Sequence, residues 1–424
     1  MIREGLKRRC GLPVTGLAAL MAFAMPDDAR ANGALEQQFA RFKSEIVREA
    51  AAKGIRASTA RSALAGSKLK LKLPDLEIPG RPKRRVPSSR GQSEFTKPPQ
   101  AYLNAKQLAR LAKRGRNLAV KHRRTLRDVE ARLGVPGHVV LGIWGRETAF
   151  GGYRLRHNAV DVLATLAFIG RRKEMFREEL FAALRMIDSG AVRKADLRSS
   201  WAGAVGLTQF MPTEYFSTAL DLDGDGTKNL WAPRDALASA ANQLKLKGWL
   251  SDRPWGIEVS IGGSANCAMA GPTGTRTVRE WRDLGLRRRD GRPFTPQQLE
   301  WQTYLLVAGG TYGPVFLVTE NYVVFRRYNL SDLYALFVGD LANRIAGRGT
   351  FIEPWANLKQ VTTGELAEIQ EHLKGLGFGI TKIDGKLGSN TRSQIGKYQV
   401  ARGLKPDCWP TRKLLARVQR EAKR

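Results

Sequence analysis

The run Val139-Val140-Leu141-Gly142-Ile143-Trp144-Gly145-Arg146-Glu147-Thr148-Ala149-Phe150-Gly151-Gly152 constrains this chain more than any other stretch. It opens on consecutive apolar residues and closes on two glycines, the pattern of a buried helix that ends in a loop. The rest of the chain has to enclose it. Glu147 falls in what should be the last turn, with Ile143 and Trp144 one turn earlier on its face and Phe150 and Tyr153 close behind. Apolar neighbours strip its water, and a helix C-terminus presents partial negative charge; both raise a carboxyl pKa. A carboxyl still protonated near neutrality is equipped for general acid catalysis. A Glu on a solvated helix end is the plainer alternative, and this window alone leaves it open.

At 424 residues the chain has room for two or more domains with real cores. Lys+Arg number 71 against 39 Asp+Glu, a net charge of +32, which favours a polyanionic partner: nucleic acid, anionic lipid or an anionic cell-wall polymer. The basic residues are spread along the chain rather than gathered on one helix among aromatics, which weighs against a nucleic-acid module. Residues 1–31 have the form of a secretory signal peptide: Arg3, Lys7, Arg8 and Arg9 precede an uncharged, mostly apolar run over 11–25, and Ala29-Arg30-Ala31 supplies small residues for cleavage. That run is too short to cross a membrane and no later stretch reaches the length, so no transmembrane span is expected. Cys10 precedes the apolar run and is not a lipidation site. An exported, periplasmic or cell-wall-associated protein is expected. Cys267 and Cys408 then remain, in different domains; two free, partly buried thiols are expected, with an inter-domain disulfide as the alternative. No His/Cys cluster has zinc spacing.

Helical spacing recurs over 34–67, broken near Gly54, with Ser58 or Thr59 as cap of the second helix. Residues 68–100 alternate Lys with Leu and then turn rich in Pro, Arg and Ser: a linker between domains, or a strap over one. A long helical pattern over 102–133 stops at Gly134-Val135-Pro136, and further helices are expected over 161–169, 173–189 and 233–249. The stretch 199–212 is too rich in glycine for an ordinary helix and too apolar for an exposed loop, so it should be a buried segment hugging another backbone. Residues 252–294 suggest a small β-containing insert, after which helical patterning returns from Pro296 to a helix ending near Ile345. Residues 347–361 are the clearest linker, and 362–424 a compact basic module of three helices.

Asp221-Leu222-Asp223-Gly224-Asp225-Gly226-Thr227 places oxygen side chains at alternate positions with glycine sixth, the front half of an EF-hand calcium loop. The back half departs from it, since position twelve is Ala232 and the next carboxylate is Asp235. Either Asp235 closes a lengthened cation shell, or this is an Asp/Gly turn without metal.

Taken together these segments resemble the B-type membrane-bound lytic murein transglycosylases, which cleave bacterial peptidoglycan on a lysozyme-like α-helical fold. The resemblance covers roughly residues 92–346. It rests on Gln92-Ser93-Glu94-Phe95-Thr96-Lys97-Pro98, the 143–151 run, residues 201–212, the 221–231 loop and Arg327-Tyr328-Asn329-Leu330-Ser331. The tail from Thr363 looks like a peptidoglycan-binding module, with Glu368-Ile369-Gln370, Asp384-Gly385 and Tyr398-Gln399 at its spacing. The fold class implied is mainly α: a lysozyme-like catalytic domain over 32–346, with the β-containing insert and EF-hand-like loop, plus the C-terminal three-helix module. Glu147 is implied as the sole catalytic acid/base, with Ser200 and Gln209 contacting the glycan and Tyr328 and Asn329 closing the cleft. Gln243 stands where the family often has Tyr, which puts one sugar-stacking contact in doubt. The implied cation ligands are Asp221, Asp223, Asp225, the Thr227 carbonyl and Asp235, for a structural calcium or sodium ion; the chemistry itself needs no cofactor. Peptidoglycan glycan strands are the implied partner of a monomer.

Glycosidases ordinarily use two carboxylates. Near Glu147 only Asp161, Glu174 and Glu214 offer themselves, by number alone. One carboxyl suffices if the substrate supplies the nucleophile, the MurNAc C6 hydroxyl, giving a 1,6-anhydro end. Gln209 and Asn329 are candidates to hold the N-acetyl group, with satisfaction of a tight turn as their plainer role, and Ser200 is as readily a cap. A hydrolytic muramidase and a non-catalytic wall-binding scaffold are the competing readings.

Overall fold

The computed structural model describes residues 27–81 and 93–423, so the expected signal peptide lies outside the described residues except where 27–31 open the first helix. Helices α1 (Asp27–Ala52) and α2 (Ala57–Ala65) turn at Gly54, which takes a positive φ of 78°. The cap of α2 is Arg56, not Ser58 or Thr59, which fall inside the helix; Arg56 is held from outside by an ion pair to Asp188 at 2.7 Å. Residues 68–81 prove to be a strap. Lys70 N donates to Thr165 Oγ1 at 3.1 Å, Glu77 N to Ile169 O at 2.7 Å, and Asp75 pairs with Arg171 at 2.8 Å and Arg172 at 3.2 Å.

The short helices α3 (Ser93–Thr96) and α4 (Pro99–Tyr102) precede α5 (Ala105–Lys121) and α6 (Arg123–Leu133). The single pattern expected over 102–133 is thus two helices, because His122 leaves the helical region (φ −104°, ψ 22°), closing one and opening the next. Next come α7 (Gly137–Thr148), β1 (His157–Asn158), α8 (Ala159–Ile169), α9 (Lys173–Asp188), β2 (Arg198–Ser199, antiparallel to β1), α10 (Pro212–Thr218) and α11 (Pro233–Leu246).

The β-containing insert is larger than the 252–294 read from sequence. Strands β3 (Gly256–Ser260), β4 (Arg276–Thr277), β5 (Arg287–Arg288), β6 (Gln302–Leu306) and β8 (Val315–Val318) form one antiparallel sheet in the order β4-β6-β8-β3-β5. Helices α12 (Val278–Asp283) and α13 (Pro296–Leu299) and strand β7 (Ala308–Thr311) lie between them. The helical reading of 302–318 fails for a physical reason. All of β8 and four of the five residues of β6 are buried, so neither alternates, and a short unbroken apolar run does not distinguish strand from helix.

Helices α14 (Glu320–Tyr328) and α15 (Asp332–Ile345) complete the larger part of the chain, and α16 (Thr363–Gly375), α17 (Ser389–Ala401) and α18 (Arg412–Glu421) form the C-terminal module around its own small core. Among the described residues no helix is long and apolar enough to cross a membrane.

Within the largest core α7 lies directly on α15. A Cβ at Gly142 would come 2.9 Å from Val338 O, and one at Gly145 2.6 Å from Leu341 Cδ2. Two glycines three apart therefore let the backbones approach, which brings Glu147 to the start of α15.

The module is docked rather than tethered. Cys267 and Cys408 are joined in a disulfide, both within the core of the insert, which corrects the expectation of free thiols. The stretch 347–361, expected as a linker, is irregular but held along its length. Glu258 accepts from Ile352 N at 2.8 Å and Glu353 N at 2.7 Å, and Lys359 O accepts from Trp409 Nε1 at 3.2 Å. Lack of periodicity signals irregular backbone; it carries no information about whether that backbone is packed.

Candidate active site

Glu147 stands in the last turn of α7, as its sequence implies, but the helix ends before the Gly-Gly pair. Ala149 (φ 49°) and Phe150 (φ 59°) both take the left-handed region ahead of Gly151 (φ 77°). Each non-glycine residue there costs on the order of 1–2 kcal/mol. Burial of Phe150 offsets that: its ring stands edge-on to Trp144 at 5.6 Å and its carbonyl accepts from Arg114 Nη2 at 3.0 Å. Thr148 Oγ1 accepts from Gly151 N at 3.1 Å and donates to Leu207 O at 2.8 Å, tying this reversal to the glycine-rich stretch 199–212.

That stretch is the buried segment expected. Ser199 bridges Val205, which bridges Phe210, and a Cβ at Gly206 (φ 75°) would sit 2.8 Å from Leu230 O. Only glycine allows the close pass. The fold therefore presents Thr208 and Gln209 beside the end of α7.

The hydroxyl of Tyr334, third residue of α15, donates to Glu147 Oε1. Tyr328 stacks on Tyr334, ring centroids 6.3 Å apart and planes 11° apart, and donates its own hydroxyl to Thr208 O at 2.6 Å. Burial pushes the Glu147 carboxyl up to about 7, with the Glu94 charge adding to it and the Arg146 charge and the Tyr334 bond opposing. Arg146 is the larger of the two opposing influences, yet burial prevails; its Nε donates to the Tyr102 hydroxyl at 2.9 Å and its guanidinium lies over the Tyr102, Tyr334 and Phe337 rings at 5.1, 5.6 and 5.3 Å. Burial raises Tyr328 and Tyr334 well above the usual tyrosine value, so both stay protonated donors.

The other sequence candidates fall into place unevenly. Gln209, itself at φ 57°, donates from Nε2 to Gly206 O at 3.0 Å and so closes its own turn. Ser200 Oγ accepts from Ala202 N at 3.3 Å and Ala204 N at 3.2 Å, as a cap does. Asn329 ends α14; its side-chain amide is half-buried and makes no hydrogen bond among the described residues. Gln243 is 2 % exposed and bonded to Glu214, so it offers no face to a sugar.

None of the three carboxylates weighed as a second catalytic group contacts Glu147 among the described residues. Asp161 pairs with Lys70 at 3.2 Å, Glu214 with Lys247 at 3.2 Å, and Glu174 is exposed at the start of α9. The carboxylate whose charge acts on Glu147 is Glu94, inside the 92–98 motif but not singled out there. Tyr334 was also missed. Its only signal is a hydroxyl within the otherwise apolar run 333–338.

In the acidic loop the carboxylates of Asp221, Asp223 and Asp235 offer oxygens within 4.8 Å of one another. Asp225 stands outside that group, accepting from Thr227 N at 2.7 Å, and both residues are exposed. Asp235, 1 % exposed, accepts from Leu222 N at 2.9 Å and Asn229 N at 2.8 Å, shaping the turn itself. Desolvation and then the charges of Asp235, Asp225 and Asp221 raise the Asp223 carboxyl, a repulsion that a bound cation would relieve.

Residues 38–343 match the family described as transglycosylase SLT domain, and residues 362–417 match a peptidoglycan binding domain. Membrane-bound lytic murein transglycosylase B of Escherichia coli is 35 % identical over 219 residues, 50 % of this chain. The match spans only 58 % of that curated relative. SltB3 of Pseudomonas aeruginosa, solved in complex with NAG-NAM-pentapeptide, is 35 % identical with a TM-score of 0.81, over 90 % of this chain and 99 % of that one. The same protein has been solved with NAG-anhNAM-pentapeptide. The Escherichia coli lytic transglycosylase Slt35 in complex with calcium is 25 % identical with a TM-score of 0.57, over 72 % of this chain and 93 % of that one.

Proposed function

The chain belongs to the transglycosylase SLT-domain family, as a B-type lytic transglycosylase with a peptidoglycan-binding module, and from that premise we propose that it cleaves the β-1,4 bond between MurNAc and GlcNAc of peptidoglycan, leaving a 1,6-anhydro-MurNAc end. The observation that carries the proposal is Glu147 held near pH 7, bonded to Tyr334, with no second carboxylate in contact with it among the described residues. A group with that pKa gives its proton to the glycosidic oxygen and then, as carboxylate, takes the proton of the MurNAc C6 hydroxyl while that oxygen attacks C1. The C1–O bond to the leaving sugar breaks, the C1–O6 bond forms, and no water is consumed. Tyr328 and Asn329 close the cleft, the free amide of Asn329 being available to a sugar N-acetyl group. Gln209 and Ser200 line it with their remaining oxygens. The protein acts outside the cytoplasm on the wall, where its positive charge favours anionic polymer.

Mass spectrometry of muropeptides released from purified sacculi tests the reaction: anhydro-terminated products are expected. Reducing ends would establish hydrolysis instead, with Glu94 as the second carboxylate, and loss of those products in Glu94→Gln would complete that case. Removing the hydrogen bond in Tyr334→Phe takes away a group that holds the Glu147 pKa down. Its pKa then rises. Since the acid must be protonated to begin the reaction, the alkaline limb of the pH–rate profile should move to higher pH, and kcat should fall about tenfold.

Asp221, Asp223 and Asp235, with the Thr227 carbonyl and Asp225 at the rim, fit a calcium or sodium ion that stiffens the loop beside the cleft. Calcium at one hundred times its Kd should stabilise the protein by about 2.7 kcal/mol. In Asp223→Asn, which leaves the backbone bonds of Asp221 and Asp235 intact, melting should not respond to calcium.

A further inference from the structure

Among the described residues, the one ion pair buried on both sides at the junction with the C-terminal module joins that module to the corner that carries the tyrosines. Arg392 on α17 and Asp332, first residue of α15, have side chains 3 % and 4 % exposed. The Asp332 carboxylate accepts from Arg392 Nη2, from Ser389 Oγ at 2.8 Å and from the Tyr322 hydroxyl at 2.9 Å, and pairs with Arg326 Nε at 3.2 Å. Two of those donors belong to the module and two to α14. Asp332 is two residues from Tyr334 and four from Tyr328, so the short turn 329–331 is pinned at one end by the module and at the other by the Tyr328–Thr208 bond. A second contact, Lys386 of the module over the Phe95 ring at 4.2 Å, reaches the helix that carries Glu94.

We propose that Arg392, assisted by Ser389, is a positioning residue of the active site: through Asp332 the wall-binding module sets where the Tyr334 hydroxyl meets Glu147. The claim rests on the reading of Glu147 as the acid/base. A carboxylate with four partners in a dry site has one low-energy position, and a helix moves as a unit, so the start of α15 transmits that position to Tyr334. Displacement of about 1 Å at a reacting group can cost on the order of 100-fold in rate. The module is thus part of the catalytic apparatus as well as a wall-binding unit.

The test uses the full chain with its disulfide intact. In Arg392→Gln the glycan cleavage rate, measured without regard to the end formed, should show kcat reduced about tenfold or more and KM within about twofold. Arg392→Lys should restore part of kcat. The pH profile should shift upward as in Tyr334→Phe, because Glu147 faces the charges of Arg146 and Glu94 and the hydroxyls of Tyr334 and Tyr328, with Tyr102 behind Arg146, and only the Tyr334 contact is expected to change. In a Tyr334→Phe background the same substitution should cost little further. Equal and additive losses would overturn the proposal, as would unchanged kcat with weakened sacculus binding. Ser389→Ala, which removes the bond to Asp332 and the one accepted from Arg392 Nη2 at 3.3 Å but leaves the ion pair, serves if Arg392→Gln fails to fold. A carbon-13 titration of the Glu147 carboxyl, assigned by its disappearance in Glu147→Gln, needs no turnover. It should report a higher pKa in Arg392→Gln even if the reading of the reaction is wrong, and an unmoved pKa would overturn the proposal.

Discussion

Glu147→Gln should lower the rate of glycan cleavage by at least about 1,000-fold while leaving binding to sacculi unchanged. One positioned acid or base contributes about 100- to 10,000-fold. Here a single group performs both transfers, so nothing on the protein replaces either when it is lost. The amide is isosteric and still accepts from Tyr334, so the cleft keeps its shape and the loss falls on kcat. Residual cleavage above about a tenth of wild type would sink the assignment.

The same substitution should stabilise the protein, in a way that depends on pH. A carboxyl whose pKa is raised from 4.5 to about 7 on folding binds its proton more tightly in the native state. Folding stability from this group is therefore fully present below pH 4.5 and is lost as pH rises through 7. The native state above pH 7 carries a penalty of about 3 kcal/mol at most, because the side chain opens partly to the cleft. Glu147→Gln removes that penalty, so the gain in melting temperature over wild type should appear at pH 8 and vanish at pH 4. A gain that is flat with pH would mean that burial is not what raises the pKa.

Glu147 was legible because three sequence-level facts coincide at it: an apolar helix, a charged residue in its last turn, and glycines immediately after. The acidic loop was legible for a similar reason, since alternate aspartates and a sixth glycine are local. What lay beyond reach depends on contacts between distant segments. Tyr334 meets Glu147 across 187 residues, and nothing near Tyr334 distinguishes it from a core tyrosine. Glu94 comes from a four-residue helix whose place is set by packing, not by its own pattern. Strands β6 and β8 were misread because their burial erases alternation, and 347–361 because a packed irregular segment and a free one share a composition. The places of Asp225 and Thr227 in the acidic loop were less legible. The loop turns so that Asp235, 14 residues after Asp221 in the chain, completes the carboxylate group while Asp225 faces solvent.

The cysteines were misjudged for the same reason, and they carry the second large expected effect. Cys267→Ala with Cys408→Ala should lower stability by about 5 kcal/mol, because the bridge closes a loop across 141 residues and removes that much freedom from the unfolded chain. A fall in melting temperature of about 6 °C is expected for a chain of this length unfolding as one unit. Both sulfurs are buried in the insert core, and Gly396 of α17 passes so close to Cys408 that a Cβ there would meet its sulfur. Packing at the junction therefore survives the substitution. So does the Arg392–Asp332 pair, whose separation leaves an unpaired buried charge at a cost of about 3–5 kcal/mol. The module should stay docked at room temperature, and unfolding should remain a single transition with cleavage activity retained. A second, low-temperature transition accompanied by loss of kcat would mean that the disulfide, and not the buried ion pair, keeps the module in place. An unchanged melting temperature would mean that the unfolded chain is already constrained across this junction, by residual contacts between the insert and the module.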